Sequence, residues 1–312
     1  MIMHRSFLIF GLLLQLTPHL QAQWVHTNGP CLNAVDCSSA VQNPAGGINI
    51  LATQYANGMT GSDVLLSRDN GASWVTVTIR TPPTHVRTFV AHGTMLVAAT
   101  DAGVFISTDA GEHWREASNG LPVSVKTVAV ALDGAAGLIL YAAVSEKGIY
   151  RSLDTGAHWS AVNEGLLDLD IYALACGGND GSIVLGATES SSPNQSNLVF
   201  RSTDGGMHWM RADYDMPGIA TTGFAILPDE ANRLILFAQG TMSSYGRLHR
   251  SIDSGRSWTR CDMPSGAAQA GSILRTVGGL RCISNASINH VGRVEVLHSS
   301  DEGAKWLAID TL

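Results

Sequence analysis

The sequence predicts an all-β protein, a propeller of four-stranded antiparallel blades, six in number. Three observations predict it. The pattern Ser-x-Asp-x-Gly-x-x-Trp occurs six times in the 312-residue chain. Its aspartates, Asp69, Asp109, Asp154, Asp204, Asp253 and Asp301, are spaced by 40, 45, 50, 49 and 48 residues, and a fixed period in that range marks a repeat architecture. Short apolar runs bounded by Gly, Asn, Asp and Ser recur in each period, while helical periodicity is weak beyond the N-terminus.

Residues 1–22 read as a secretory signal: His4-Arg5, the apolar stretch Phe7 to Leu16, and Ala22 as the last residue before cleavage. That stretch is too short to span a bilayer comfortably, and no later segment looks transmembrane. Residues 23–312 then form a single propeller domain, secreted or held in the periplasm or cell envelope, with no membrane insertion after cleavage. A monomer is expected.

Each period supplies four strands, A to D. Runs such as Val128 to Ala131 and Tyr172 to Ala175 serve as A, and Leu96 to Ala99 and Val184 to Ala187 as B. Val104 to Ile106 and Val199 to Arg201 serve as C, and the tryptophan-led segment as D. The eight-residue pattern fills the C–D turn. Its glycines, Gly71, Gly111, Gly156, Gly206, Gly255 and Gly303, supply the positive φ that a tight turn needs. Its Ser and Asp side chains accept hydrogen bonds from turn amides. Its tryptophans, Trp74, Trp114, Trp159, Trp209, Trp258 and Trp306, pack back over the turn. The seventh tryptophan, Trp24, lies in register without a box. Trp24-Val25-His26 either joins the last blade and closes the ring or belongs to a degenerate seventh blade, so seven blades is the alternative.

These boxes resemble the Asp-box (BNR) repeat of sialidases and other secreted propellers, over nearly the whole mature chain. The resemblance extends to sortilin-type receptors and photosystem II assembly factors, whose propellers act by binding. It implies that the boxes are scaffold and not a catalytic array. Arg151, Arg201 and Arg250, each before a box serine, read as repeat consensus, and His113, His158 and His208 as exposed neighbours of the turn. A sialidase needs an arginine cluster for the substrate carboxylate, a Tyr/Glu nucleophile pair and an acid/base aspartate. Its Arg-Ile-Pro-type motif before the first box is missing; Ile79-Arg80-Thr81-Pro82 follows that box, and only Arg87 and Arg275 are placed to face a channel. Another glycoside hydrolase needs only two carboxylates, for which Asp36, Glu164, Asp168, Asp170 and Asp215 lie near strand ends.

Composition narrows the classes. Charged residues are 14% of the chain, against about 25% in ordinary globular proteins, and the net charge is −7. With the basic residues scattered, nucleic acid is not an expected partner. No Walker loop, dinucleotide fingerprint, Gly-x-Ser-x-Gly elbow, His-Glu-x-x-His or Cys-x-x-Cys occurs, so no cofactor or metal is expected. Five cysteines allow Cys31–Cys37 and Cys261–Cys282 disulfides in an exported protein, with Cys176 a buried thiol; the alternative leaves all five unpaired.

The periods differ most between strands B and C. Blades 2 and 3 have short connections, and blades 1, 4, 5 and 6 have long ones at 54–63, 189–197, 240–246 and 285–292. In a closed ring these four are consecutive and form a crescent opposite the boxes. Tyr55, Tyr245 and His290 on it, with Arg87 and Tyr214 from the D–A connections on the same face, are the candidate ligand-binding residues. The expected activity is non-catalytic binding of a protein or neutral glycan; the alternative is a glycoside hydrolase or sialidase-like enzyme.

Overall fold

The structure is a computed structural model. It describes residues 35–43, 45–55, 62–122, 127–133, 138–177, 182–188, 198–213, 215–216, 220–228, 234–242, 245–264, 267–276, 278–288 and 291–311. Blade 1 comprises β1 (Val35–Gln42), β2 (Ile48–Tyr55), β3 (Ser62–Ser67) and β4 (Val75–Val77). Blade 2 comprises β5 (Val86–His92), β6 (Met95–Thr100), β7 (Gly103–Ser107) and β8 (Arg115–Glu116). Blade 3 comprises β9 (Thr127–Asp133), β10 (Ile139–Val144), β11 (Gly148–Ser152) and β12 (Ser160–Ala161). Blade 4 comprises β13 (Ile171–Gly177), β14 (Ile183–Thr188), β15 (Val199–Ser202) and β16 (Met210–Arg211). Blade 5 comprises β17 (Ala220–Pro228), β18 (Leu234–Met242), β19 (Tyr245–Ser251) and β20 (Thr259–Arg260). Blade 6 comprises β21 (Ala267–Thr276), β22 (Gly279–Ile288), β23 (Val291–Ser299) and β24 (Leu307–Thr311).

Every sheet pairs its four strands in chain order, and every described ladder within a blade is antiparallel. This is the expected six-bladed, all-β propeller, with six sheets among the described residues. Trp24-Val25-His26 lies outside those residues. No helix in them is long and apolar enough to cross a membrane. The chain falls into two compact units, Met1–Val130 with blades 1 and 2 and Ala131–Leu312 with blades 3 to 6; the division lies inside β9.

Within each unit the A strands of successive blades touch, β1 with β5 in the first, and β13 with β17 and β17 with β21 in the second. Strand A is therefore the inner edge. The outer D strands are short, and both residues are exposed in β8, β12, β16 and β20. The B strands are apolar runs because both their faces pack on neighbours: all six residues of β6 and of β14 are buried. The core lies between blades. Leu51, Val64 and Leu66 meet Phe89, Leu96 and Phe105 in the first unit. In the second, Leu185 and Val199 of blade 4 meet Leu236 and Trp258 of blade 5, and Phe237 and Leu248 of blade 5 meet Leu297 and Trp306 of blade 6.

The box turns are built alike. In each, the serine hydroxyl accepts the glycine amide and donates to the first aspartate oxygen; for Ser202 these bonds to Gly206 and Asp204 are 2.8 and 2.7 Å. That oxygen also accepts the amide before the tryptophan, as at His208, 3.0 Å away. Glycine is only half of the turn's backbone requirement. The residue before it is also left-handed, with φ of 58° at Asn70, 60° at Ala110 and 59° at Glu302. Trp159, Trp209, Trp258 and Trp306 are buried and Trp74 and Trp114 half-buried, and strand D starts just after each of them.

Arg151, Arg201 and Arg250 do more than repeat a consensus. Each reaches forward to the next blade's box turn. Arg151 Nη1 donates to the Gly205 carbonyl at 2.7 Å and Arg201 Nε to the Ser254 carbonyl at 2.5 Å. Arg250 Nη1 donates to the carbonyls of Asp301 and Glu302 at 3.1 and 3.0 Å. Blade 1 has Leu66 at the equivalent position, and there Asn49 Nδ2 makes the corresponding bond to the Ala110 carbonyl at 3.0 Å. Arg201 is buried, and burial lowers its pKa. We expect Arg201→Met to cost about 1–3 kcal/mol, because the half-buried Ser254 carbonyl loses the charged donor that pairs it. Arg260→Met on the exposed strand β20 should cost almost nothing. Urea unfolding of both variants checks this, and equal midpoints would contradict it.

Two expectations are corrected. The long B–C connections of blades 5 and 6 are not loops. Their ladders continue to Met242↔Tyr245 and Ile288↔Val291, so 240–246 and 285–292 are mostly hairpin. Blade 1 likewise pairs out to Tyr55↔Ser62, while 189–197 of blade 4 lies outside the described residues. The second correction concerns Cys261 and Cys282. Both are buried in the core between blades 5 and 6 and are not joined by a disulfide. Burial pushes the Cys261 thiol up to about 12, which disfavours the reactive thiolate. Cys176 is half-buried in β13, and Cys31, with its pairing to Cys37, lies outside the described residues.

Candidate functional site

In each blade strand A begins at the end opposite the box turn, and five of the A–B ladders carry a bulge there. The register shifts between Val35 and Ser38, Val86 and Thr88, Ile171 and Ala173, Thr221 and Gly223, and Ala267 and Gln269. A bulge leaves a residue unpaired and re-aims its side chain. In blade 2 that residue is Arg87, and in blade 4 it is Tyr172.

Arg87 is not held ready for a ligand. Its guanidinium forms a two-bond ion pair with Asp101 in the B–C turn of its own blade, at 2.7 and 3.1 Å. Arg211 is paired in the same way with Asp213, two residues on, at 2.6 and 3.0 Å. Arg275 sits at the other end of its A strand, 3.9 Å from Glu302 of a box turn. Arg87 is therefore already engaged by a carboxylate, and Arg275 lies at the box-turn end of its own strand. Tyr55 ends β2 and Tyr245 begins β19, so both backbones are in hairpins and not in loops. Tyr214 and His290 lie outside the described residues.

The acidic candidates are dispersed. Asp168 and Asp170 share the D–A connection into blade 4, where the Asp170 amide donates to Asp168 Oδ1 at 3.0 Å. Glu164 is 3.8 Å from the His208 ring, and Asp215 accepts the Trp258 amide at 3.4 Å. Asp36 lies in β1. Among the described residues, no three His, Cys, Asp or Glu side chains are grouped to hold a metal ion. A shallow pocket in the first unit is lined mainly by Val64, Val77, Ile79, Pro83 and Val86, and no carboxylate faces it.

The box aspartates are committed to their turns. Asp69 is pulled down to about 2 by the Ser73 hydroxyl and amide and the Ser67 hydroxyl. Asp154 is pulled down to about 2 by the amide and ring of His158 and the Ser152 hydroxyl. In Asp204 and Asp253 partial burial pushes upward, but hydrogen bonds from His208 and Ser202, and from Ser257 and Ser251, outweigh it and hold both at about 2. A carboxyl depressed on folding contributes stability that is complete above its unfolded value near 4 and is lost as the pH falls through its folded value. Stability should therefore fall between about pH 4 and pH 2. The deficit of Asp204→Asn relative to wild type should shrink across that window. Urea midpoints measured at steps of pH check this; a constant deficit would contradict it.

Sequence reasoning missed the exposed apolar group at the start of blade 4. Leu167, Leu169 and Tyr172 are 74, 39 and 47% exposed. The alternation Leu-Asp-Leu-Asp was visible, but it reads as an ordinary half-buried strand, and Tyr172 as part of an A strand.

Residues 50–278 match the family model described as the DUF6242 beta propeller domain. The chain belongs to that family. No curated protein matches the sequence of this DUF6242 propeller. Among solved structures it is similar to the GH74 xyloglucanase from Xanthomonas campestris, at 16% identity and a TM-score of 0.61, over 87% of this chain and 46% of that one. It thus spans about half the length of that enzyme. YCF48 from Cyanidioschyzon merolae has 14% identity and a TM-score of 0.56, over 88% of this chain and 84% of YCF48. A COPII outer coat vertex chain has 10% identity and a TM-score of 0.60, over 89% of this chain and 76% of its own. These likenesses concern the fold; the same blades occur in enzymes and in non-catalytic assemblies.

Proposed function

We propose that the protein is an exported, non-catalytic propeller that holds a protein or neutral glycan partner on the face opposite the box turns. The extension of particular hairpins carries this reading. Strand C has five residues in β7 and β11 but seven in β19 and nine in β23. Four added residues extend a hairpin by about 13 Å. Connections lengthened on a rigid scaffold are where binding residues are commonly carried. The structure of YCF48 bound to D1 peptide, 15% identical with a TM-score of 0.53, is a precedent for a propeller of this fold taking a peptide. Residues 1–22, read as a signal, support export.

The test is capture of a partner from the secreted or envelope fraction by wild type and by a variant with the blade 5 and 6 hairpins cut to the length of blade 2. Loss of capture with unchanged thermal stability is the expected result. Equal capture would remove the hairpins from the function. Turnover of xyloglucan or a sialoside, abolished by Asp168→Asn or Asp170→Asn, would replace the binding reading with an enzymatic one.

A further inference from the structure

We propose that the ledge formed by Leu167, Leu169 and Tyr172 at the start of blade 4 docks an extended, cationic segment of a partner polypeptide. The inference rests on the reading of this face as a binding face, and it names the chemistry of what is bound.

Three observations carry it. First, three large apolar side chains stand exposed within six residues, at 74, 39 and 47%. One exposed leucine is ordinary, but a contiguous group marks a contact surface. Second, the ledge is held in place. The Gly148 amide in the B–C turn of blade 3 donates to the Leu169 carbonyl at 2.9 Å, and Ile171 just beyond is fully buried. The bulge between Ile171 and Ala173 turns Tyr172 outward between two buried neighbours. A fixed apolar surface loses little entropy when a partner covers it.

Third, the charge around the ledge is one-sided. Asp168 and Asp170 are interleaved with the leucines, and neither has an ion-pair partner among the described residues. The acids of Arg68–Glu112, Arg87–Asp101 and Arg211–Asp213 are all neutralised. Exposed Glu146 and Lys147 lie in the adjoining turn of blade 3, and Glu164, with its side chain 78% exposed, precedes the ledge. With Glu164 set 3.8 Å from the His208 ring, three carboxylates, Glu146, Asp168 and Asp170, stand beside one ammonium group, Lys147. A segment alternating apolar and basic residues would cover the leucines and supply the missing cations. The two-residue spacing of Leu167 and Leu169 matches that of an extended chain, whose alternate side chains point the same way.

The test uses the full chain and two fluorescein-labelled hexapeptides, one alternating lysine with leucine and one alternating glutamate with leucine, read by fluorescence anisotropy. Binding of the lysine peptide and not the glutamate peptide is expected. It should weaken about tenfold in Leu167→Ser/Leu169→Ser and in Asp168→Asn/Asp170→Asn. In the wild type it should also weaken about tenfold as salt rises from about 50 mM to about 0.5 M, and this dependence should flatten in the Asn variant. Tyr172→Ala should weaken it as well. Leu153→Ser/Ile252→Ser, which alters side chains 65 and 66% exposed on box turns, should leave it unchanged. No binding by wild type, equal binding of both peptides, or indifference to the ledge substitutions overturns the proposal. A native partner lost on hairpin trimming but retained by both ledge variants would overturn the ledge alone and leave the binding function standing.

Discussion

Trp306→Ala should destabilise the protein by about 3–5 kcal/mol, the range for deleting a large aromatic side chain from a packed core. Trp306 is 1% exposed and fills the space between blades 5 and 6. It meets Phe237 of blade 5 edge-on, with ring centroids 6.3 Å apart, and its indole Nε1 donates to the Gly303 carbonyl at 3.0 Å. Gly303 itself is pressed against the Phe237 ring, so the turn cannot move in to fill the gap. The half-buried Trp74, with the same bond to its own glycine at 3.2 Å, is the internal comparison and should lose clearly less. Urea unfolding of the two alanine variants measures both. A Trp306→Ala loss below about 1 kcal/mol would mean that the box tryptophans are not the interblade wedges they resemble.

Gly165→Ala should be comparably damaging, for a different reason. Gly165 has φ +92°, and a Cβ there would overlap the Trp209 carbonyl oxygen of the next blade. The adjoining Glu164 carbonyl accepts the Trp209 amide at 2.8 Å, so main chain lies directly on main chain. Left-handed strain in a non-glycine residue costs roughly 1–2 kcal/mol, and prising the backbones apart forfeits the hydrogen bond, for a total of about 3 kcal/mol. Gly93, at φ +58° with nothing near its missing Cβ, isolates the strain. Gly93→Ala should cost only about 1–2 kcal/mol. Equal losses for the two variants would show that close approach at Gly165 contributes nothing.

The architecture was legible because its signals are local and repeated. Ser202, Asp204 and Gly206 close a turn among themselves, and the apolar run of β14 shows a strand buried on both faces. What was not legible depends on distant partners. Gly240, Thr241 and Gly246 have loop composition, yet Thr241 pairs with Gly246 and Gly240 with Arg247 because the opposing strand offers a ladder. Arg87 resembles a ligand-binding cation until Asp101, 14 residues on, is seen to occupy it. Arg201 and Ser254 are 53 residues apart, and no periodicity reveals that they touch. At the candidate site, exposure was the missing quantity. Leu167, Leu169 and Tyr172 have the composition of a core, and only the bulge and the anchored connection turn them outward.

The forward-reaching arginines give the second unit a direction. Arg151, Arg201 and Arg250 all donate from an earlier blade to a later one. Among the described residues the turns of blades 4, 5 and 6 each receive such a bond, and His298 of blade 6, at the arginine position, has an unpartnered Nδ1. A chain synthesised from its N-terminus therefore carries a waiting guanidinium after each of blades 3, 4 and 5. The carbonyls of the blade 4, 5 and 6 turns are engaged by the blade made before each of them. A fragment that stops after blade 4 leaves the Arg201 guanidinium without its acceptor, while the blade 4 turn keeps its donor, Arg151. The two possible single-blade deletions at the ends of this series are thus unequal. Loss of blade 6 strands a cation, Arg250, which solvent readily accommodates, whereas loss of blade 3 strands the carbonyl of Gly205 inside a turn.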